Sequence, residues 1–134
     1  MVVRALRGAI TVDHDSADEV KKRAGELITA LLARNGLTED ALISVFFTAT
    51  DDITSVAPAA GIRELGMLDV PLLCVGEMAT DGTLPLCIRL MAHVETDRPR
   101  SQMRHVFLRG AAVLRPDLVD GDEDDDLDGA EVGS

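Results

Sequence analysis

The sequence predicts one α/β or α+β domain whose helices can cover only one face of a β-sheet. Strand-like and helical segments follow one another in the order β-α-β-α-β-β-β. The first helical segment carries a single apolar stripe, so it packs on one side only. Two strand segments are apolar on both faces, so both faces of the sheet need cover.

The first predicted element is a strand over residues 2–12, rich in Val, Leu and Ile. Arg4 and Arg7 interrupt its apolar run, so the segment fits neither a secretory signal nor a membrane span. Because these two arginines are an odd number of residues apart, they point to opposite faces, and we expect Arg4 to be structural.

The second element is the clearest helix. Ser16 and Glu19 form a capping-box pattern at its start. Gly36 is placed to end it in a left-handed conformation. The apolar residues that recur at helical spacing are Val20, Ala24, Leu27, Ile28, Leu31 and Leu32.

The later elements are shorter. A helix is predicted to start at Pro58 and run through Leu65, with Gly66 as its stop. The Asp51–Asp52 pair opens the loop before that helix. Strands are predicted over residues 41–49, 70–75, 84–94 and 105–108, and one helical turn over residues 111–114.

One long and one short helix leave the second sheet face bare. The segments 41–49 and 84–94 nevertheless carry apolar residues on both faces. Another copy of the chain is the simplest cover, and we therefore expect a homo-oligomer whose sheets pack at the interface.

Charge is distributed unevenly along the 134 residues. Residues 119–134 hold eight acids and no base, which leaves 16 acids against 13 bases in residues 1–118. We expect the acidic tail to be disordered and the body to form the domain. The chain lacks a basic stripe and aromatic stacking platforms, which argues against nucleic acid as a partner.

The cysteine pattern suggests reduced thiols. Cys74 and Cys87 stand in a chain without a recognisable export signal, and we expect a cytoplasmic location and no membrane association. The three histidines are far apart in sequence, and no Cys/His spacing resembles a zinc site. No glycine-rich phosphate loop or nucleophile elbow is present.

The segment 73–91, LCVGEMATDGTLPLCIRLM, carries the strongest chemical signal. Arg89 is the one cation in an apolar strand, and burying it is unfavourable unless an anion meets it. That anion is either a side chain such as Glu77 or a substrate. Arginines far outnumber the two lysines, and arginine binds carboxylates in two-point fashion, which suits a small dianion.

Five blocks in order complete the pattern: VRALRGAITV, PAAGIREL, CVGEM, CIRLM and RHVFLRGAAVLRPDL. With these blocks, residues 2–118 resemble the trimeric, monofunctional chorismate mutases of the Bacillus type, the AroH class. The resemblance implies an α+β fold with a mixed sheet and helices on one face. It also implies a homotrimer, a pseudo-α/β-barrel with active sites between subunits.

The implied activity is the rearrangement of chorismate to prephenate, in phenylalanine and tyrosine biosynthesis, without cofactor or metal. By resemblance, Arg89 would contact the ether oxygen and a carboxylate, Glu77 the ring hydroxyl, and Arg7 a carboxylate. The same resemblance gives the remaining substrate-binding residues as Cys74, Arg63, Phe107, Leu114 and Arg115.

Three positions depart from the family pattern. Ala57 stands where an aromatic residue is frequent, Ala60 where a lysine is frequent, and Phe107 where a tyrosine is frequent. Loss of a cation and of a phenol predicts weaker substrate binding. It leaves Arg89 and Glu77 untouched.

Other readings of these residues stay open at this point. Arg89 and Glu77 could form a structural ion pair, and Cys74 could be a small buried hydrophobe. Cys87 is predicted to lie in the core. A small trimeric imine deaminase and a non-catalytic trimeric binding protein are the alternative functions.

Overall fold

A computed structural model describes residues 1–114 of the chain. The predicted acidic tail and Arg115 lie outside the described residues. The helices are α1 (Ala17–Arg34) and α2 (Ala59–Glu64), and the strands are β1 (Val2–Thr11), β2 (Leu42–Ala49), β3 (Leu72–Gly76), β4 (Cys87–Thr96) and β5 (Val106–Leu108). Short 3₁₀ helices occupy Glu39–Ala41, Arg100–Gln102 and Arg109–Leu114. The predicted order of helices and strands is confirmed.

The five strands form one mixed sheet in the order β3-β2-β4-β1-β5. Strand β4 is antiparallel to both β1 and β2, whereas β3 is parallel to β2 and β5 is parallel to β1. The register places Arg89 of β4 between Ala9 of β1 and Thr48 of β2. Arg89 is therefore held on a central strand, with hydrogen-bonded neighbours on both sides.

Helix α1 begins as the capping box predicts. The Ser16 hydroxyl accepts the backbone N–H of Glu19 at 3.2 Å. The Glu19 carboxylate does not close the box on Ser16, because it accepts the N–H of Asp13 at 2.9 Å instead. Gly36 follows the helix with φ 65°, in the left-handed conformation predicted for it.

The main core lies between the helices and one face of the sheet. The apolar stripe of α1 is fully buried there, at Leu27, Ile28 and Leu31 among others, against Phe47 and Ile88 of the sheet. Helix α2 packs on α1 at very short range, since a Cβ atom at Gly61 would lie 2.3 Å from the carbonyl oxygen of Lys21. Glycine at this position is what lets the two helices approach.

The other sheet face is largely uncovered within residues 1–114, and we call it the open face; at one end of it Ala9, Cys87 and Phe107 are buried together with Ala111. Phe46 pairs with Met91 on one side and with Leu73 on the other, so these three side chains share a face. Their exposed fractions are 45%, 38% and 54%. The prediction that the helices cover only one face of an apolar sheet is confirmed.

Each strand differs from its predicted bounds by one to three residues at one end or both, and two of these differences have a visible cause. Strand β4 begins at Cys87 and not at residue 84, because Leu86 has a left-handed backbone (φ 49°) and gives its N–H to the side chain of Asp52. Strand β5 begins at Val106 because the ring Nδ1 of His105 accepts the backbone N–H of Arg7 at 3.0 Å. In both places a side chain replaces a backbone partner. Within residues 1–114, none of the helices is long and apolar enough to cross a membrane.

Candidate active site

A concave pocket of about 210 Å³ opens on the open face of the sheet. Its charged lining residues are Arg7, Glu77 and Arg89. The remaining lining residues are Gly8, Ala9, Phe46, Thr48, Leu90, Met91 and Phe107. A few charged groups in an otherwise mostly apolar concavity are typical of a small-molecule site.

Arg89 lies at the centre of this pocket. Its side chain is one-third exposed, and its Nε lies 3.5 Å from Oε2 of Glu77. That Nε atom is buried and has no hydrogen-bond partner among the described residues. A buried donor without a protein partner is unusual in a folded protein, which makes this N–H a candidate to bind a ligand oxygen.

Glu77 is fixed from two directions by the end of strand β2. The hydroxyl of Thr48 donates a short hydrogen bond to Oε1 of Glu77. The backbone N–H of Glu77 donates to the carbonyl oxygen of Ala49 at 3.0 Å. The carboxylate thus has little freedom to turn away from Arg89.

Arg7 lies on β1, in register with Met91 on the open face. Its guanidinium carbon lies 6.0 Å from the ring centroid of Phe107, which is within cation–π distance. Phe107 is almost fully buried in a small second cluster with Ala9, Cys87 and Ala111. The buried Phe107 ring therefore helps to hold the Arg7 guanidinium in position.

Cys87 is buried in this second cluster, as predicted. Burial raises the pKa of the thiol, despite the opposing effect of the nearby Arg89 cation. Because the thiolate is the nucleophilic form, a raised pKa keeps this sulfur inert. Cys87 is a core residue below the pocket.

Cys74, Arg63 and Leu114 are also predicted site residues, but they do not line the pocket of the same chain. Cys74 pairs with Phe47 and packs against the main core under the helices. Arg63 is exposed on α2. Leu114 packs against the second cluster near Phe107, and Arg115 lies outside the described residues.

Sequence reasoning missed Thr48, Phe46 and Met91 as pocket residues. The strand alternation contained the signal for all three. Thr48 and Phe46 are two residues apart on β2 and therefore share a face, and the register places Thr48 beside Arg89. The predicted segment ALISVFFTA did not show which of its two apolar faces would stay open.

The chemistry open to this site is anion binding. Two guanidinium groups and one carboxylate converge, so the pocket attracts a small ligand with more than one negative charge. The Thr48 hydroxyl already donates to Glu77, and among residues 1–114 no histidine lines the pocket to activate that hydroxyl as a nucleophile. The geometry thus favours binding and electrostatic stabilisation over covalent catalysis.

Comparison with known proteins agrees with this geometry. Residues 3–118 match the family model for chorismate mutase type I. The chain belongs to the type I chorismate mutases. As a member of that family it is an enzyme that isomerises chorismate to prephenate, in aromatic amino acid biosynthesis.

Individual chorismate mutases are similar over most of their length. The chain is 44% identical to chorismate mutase AroH of Thermus thermophilus, over 87% of this chain and 97% of the relative. It is 40% identical to chorismate mutase AroH of Bacillus subtilis, over 88% and 94% respectively. A solved chorismate mutase structure from Clostridium thermocellum superposes with a TM-score of 0.81 at 40% identity, covering 82% of this chain and 98% of that one. The resemblance inferred from the five sequence blocks is confirmed.

Proposed function

We propose that this chain carries out the rearrangement in the open-face pocket by orientation and electrostatics alone. One C–O bond breaks as one C–C bond forms, with no proton transfer and no covalent intermediate. The observation that supports this proposal is the position of Arg89 on a central strand. Its side chain is one-third exposed, and its buried Nε has no hydrogen-bond partner among residues 1–114.

The reaction sets two requirements. The flexible enolpyruvyl arm must be held over the ring, which lowers the entropic part of the barrier. Negative charge that grows on the ether oxygen must also be stabilised by donors that are already in place. Both tasks suit fixed cations and need no acid or base of matched pKa.

Arg89 supplies the donor to the ether oxygen and to one carboxylate in this proposal. A preorganised donor of this kind is worth roughly 3–4 kcal/mol of transition-state stabilisation. Glu77 accepts a hydrogen bond from the ring hydroxyl, and its geometry is maintained by Thr48. Arg7 binds a substrate carboxylate, with its guanidinium supported by Phe107.

The site is complete only in an oligomer, which we propose to be a homotrimer. Arg7, Glu77, Arg89 and Phe107 line one chain's pocket, whereas Cys74 and Arg63 do not. A neighbouring chain seated on the open face would cover its exposed apolar residues and bring Arg63, which is exposed on α2, to the pocket. In this proposal Leu114 is an apolar wall of the site and Arg63 attracts the dianion at its mouth; the family resemblance gives the same role to Arg115, which lies outside the described residues.

The three departures from the family pattern affect binding more than chemistry in this proposal. Ala57 and Ala60 lie just before and within α2, which also carries Arg63. Phe107 lacks the hydroxyl that would bind a carboxylate. The substrate is therefore held by fewer polar contacts, while Arg89 and Glu77 remain in place.

A cytoplasmic location is also part of the proposal. Cys74 and Cys87 are both free thiols. Reduced cysteines are typical of proteins that stay in a reducing compartment.

Incubation of the purified chain with chorismate tests the activity. The expected result is loss of chorismate absorbance with formation of prephenate, and binding without turnover would show a non-catalytic protein. Sedimentation tests the assembly, with a trimer expected.

Co-expression of two variants tests the shared site. Arg89→Ala and Arg63→Glu should each be nearly inactive alone, because each disables one contributor to every site. In mixed trimers some sites take Arg89 and Arg63 from undamaged chains, and these sites should recover activity. A mixture as inactive as its components would contradict a site built from two chains.

A further inference from the structure

We infer that Thr50 and Asp52 are positioning residues for Arg89, acting through the start of strand β4. The inference rests on the proposed function, in which the exact direction of the Arg89 guanidinium sets the rate. Neither residue lines the pocket. Their effect on catalysis would therefore come only from how they hold the strand that carries Arg89.

Side chains hold the start of β4, because its backbone pairing with β2 stops there. Strand β2 ends at Ala49, so the N–H of Cys87 has no carbonyl of β2 to pair with. The hydroxyl of Thr50 accepts that N–H at 3.0 Å. The N–H of Thr50 in turn donates to the carbonyl oxygen of Cys87 at 3.1 Å.

Asp52 completes this arrangement from the loop after β2. Its Oδ1 accepts the hydroxyl proton of Thr50 at 2.5 Å, which fixes the direction of that hydroxyl. Its Oδ2 accepts the backbone N–H of Leu86 at 2.9 Å. The Thr50 hydroxyl, the Thr50 N–H and the Asp52 carboxylate together hold the backbone of residues 86 and 87, and we call this arrangement the clamp. Residue 87 is two positions before Arg89.

The clamped backbone is strained. Leu86 has φ 49°, a left-handed conformation that a branched apolar residue rarely adopts. Such a conformation persists only where surrounding contacts determine it. The carbonyl oxygen of Leu86 accepts the N–H of Val12 at 2.9 Å, so β1 holds the same residue from the other side. Loss of the clamp would let this turn relax and the first residues of β4 fray.

Burial separates Thr50 from an ordinary surface threonine. Thr50 is 5% exposed, and its hydroxyl both accepts and donates within the clamp. Arg89 is the open-face residue next after Cys87 on the same strand. A change of direction at Cys87 would therefore tilt the guanidinium, and a misplacement of about 1 Å can lower a rate by about 100-fold.

The matched control is at the far end of the same strand. Thr96 is also buried, and its hydroxyl accepts a backbone N–H, that of Arg98, at 3.2 Å. Thr96→Val removes the same kind of hydrogen bond from the same strand without touching the Arg89 end. A purely structural role for Thr50 predicts that Thr50→Val and Thr96→Val behave alike.

The experiment compares kcat and KM for chorismate in trimers of the parent, Thr50→Val, Thr50→Ser, Asp52→Ala and Thr96→Val, with thermal unfolding measured in parallel. We expect Thr50→Val and Asp52→Ala to lower kcat by about 10- to 100-fold with a smaller change in KM. Thr50→Ser keeps the hydroxyl and should recover most of kcat. Thr96→Val should match the parent in kcat even where its melting temperature falls.

Equal kcat for Thr50→Val, Asp52→Ala and Thr96→Val would overturn the inference, and so would an effect confined to KM. Asp52 is exposed, so Asp52→Ala decides the question if Thr50→Val does not fold. Arg89→Ala is measured beside them. An inactive parent, or an Arg89→Ala variant as active as the parent, would refute the proposed function itself, whereas a normal parent and an inactive Arg89→Ala variant leave the clamp as the only claim at stake.

Discussion

The carboxylate of Glu77 faces the guanidinium of Arg89 inside the pocket, with Oε2 3.5 Å from Nε. This separation is longer than an ordinary hydrogen bond. The two opposite charges attract each other, but the Nε–H of Arg89 stays available to another acceptor. An unmade hydrogen bond to a buried donor is unfavourable by about 1–3 kcal/mol. A substrate oxygen that reaches Arg89 would recover that energy.

Glu77 should matter through its acceptor oxygens. Glu77→Ala removes both, and we expect kcat/KM to fall by about 10- to 100-fold, in line with a hydrogen bond to a charged group of about 1.5–3 kcal/mol. Glu77→Gln retains one oxygen acceptor and should lose less. Steady-state kinetics with chorismate measures both. A Glu77→Ala variant as active as the parent would remove Glu77 from the site.

Phe107→Tyr should strengthen substrate binding. The added hydroxyl would give a carboxylate one more hydrogen bond, so KM should fall while kcat stays similar. Phe107 lines the pocket beside Arg7, which places the new group near the expected carboxylate. An unchanged KM would contradict this account of the departure.

The contact between helices α1 and α2 predicts a sharp contrast between two glycines. Gly61→Ala would place a Cβ 2.3 Å from the Lys21 carbonyl oxygen, so α2 must move and the free energy of unfolding should fall by about 1–3 kcal/mol. A Cβ at Gly25 would meet Leu65 Cδ1 at 3.5 Å and the Gly61 carbonyl oxygen at 3.8 Å, which are ordinary contacts. Gly25→Ala should be neutral, or stabilising by about 0.5–1 kcal/mol. Urea unfolding of both variants tests this, and equal effects would contradict the packing.

Asp15 should make stability depend on acid pH. Its carboxylate accepts hydrogen bonds from the loop residues Thr54 and Ser55. Bonding from the Ser55 side chain and the Thr54 backbone lowers the pKa of Asp15 from 3.8 to about 2. Because the folded-state pKa is the lower one, the stabilisation is present above about pH 4 and is lost as the pH falls through about 2.

Comparison with Asp15→Asn isolates this effect from the other carboxylates. Between pH 5 and pH 2, the urea midpoint of the parent should fall more steeply than that of the variant. Parallel curves over that window would show that Asp15 does not contribute.

Much of this fold could be predicted from local patterns. The α1 stripe, its Ser16 cap and Gly36 are short-range signals, and they hold because local and tertiary preferences agree there. The bare sheet face also followed from counting helices against strands that are apolar on both sides. Arg89 and Glu77 stood out in the sequence as a lone strand cation and a nearby acid, whereas their roles, and the choice of Arg7, came from the family resemblance.

The remainder depends on contacts between distant segments. The predicted strand starts late, at Cys87, because the side chain of Asp52, 34 residues from Leu86, accepts the Leu86 N–H. In the sequence Thr48 is an ordinary strand residue. Its hydrogen bond to Glu77 forms only because β3 lies parallel to β2 and Glu77 comes just after the end of β3. Periodicity reports which residues share a face. It does not report which side chain replaces a backbone partner.

The most direct test of the central claim is turnover of saturating chorismate by Arg89→Ala, with assembly checked by sedimentation. We expect kcat to fall by about 100- to 1,000-fold, since a preorganised donor has been removed from the transition state. We also expect an intact trimer. Turnover close to the parent's in that variant would contradict the claim that the Arg89 guanidinium stabilises the breaking ether bond.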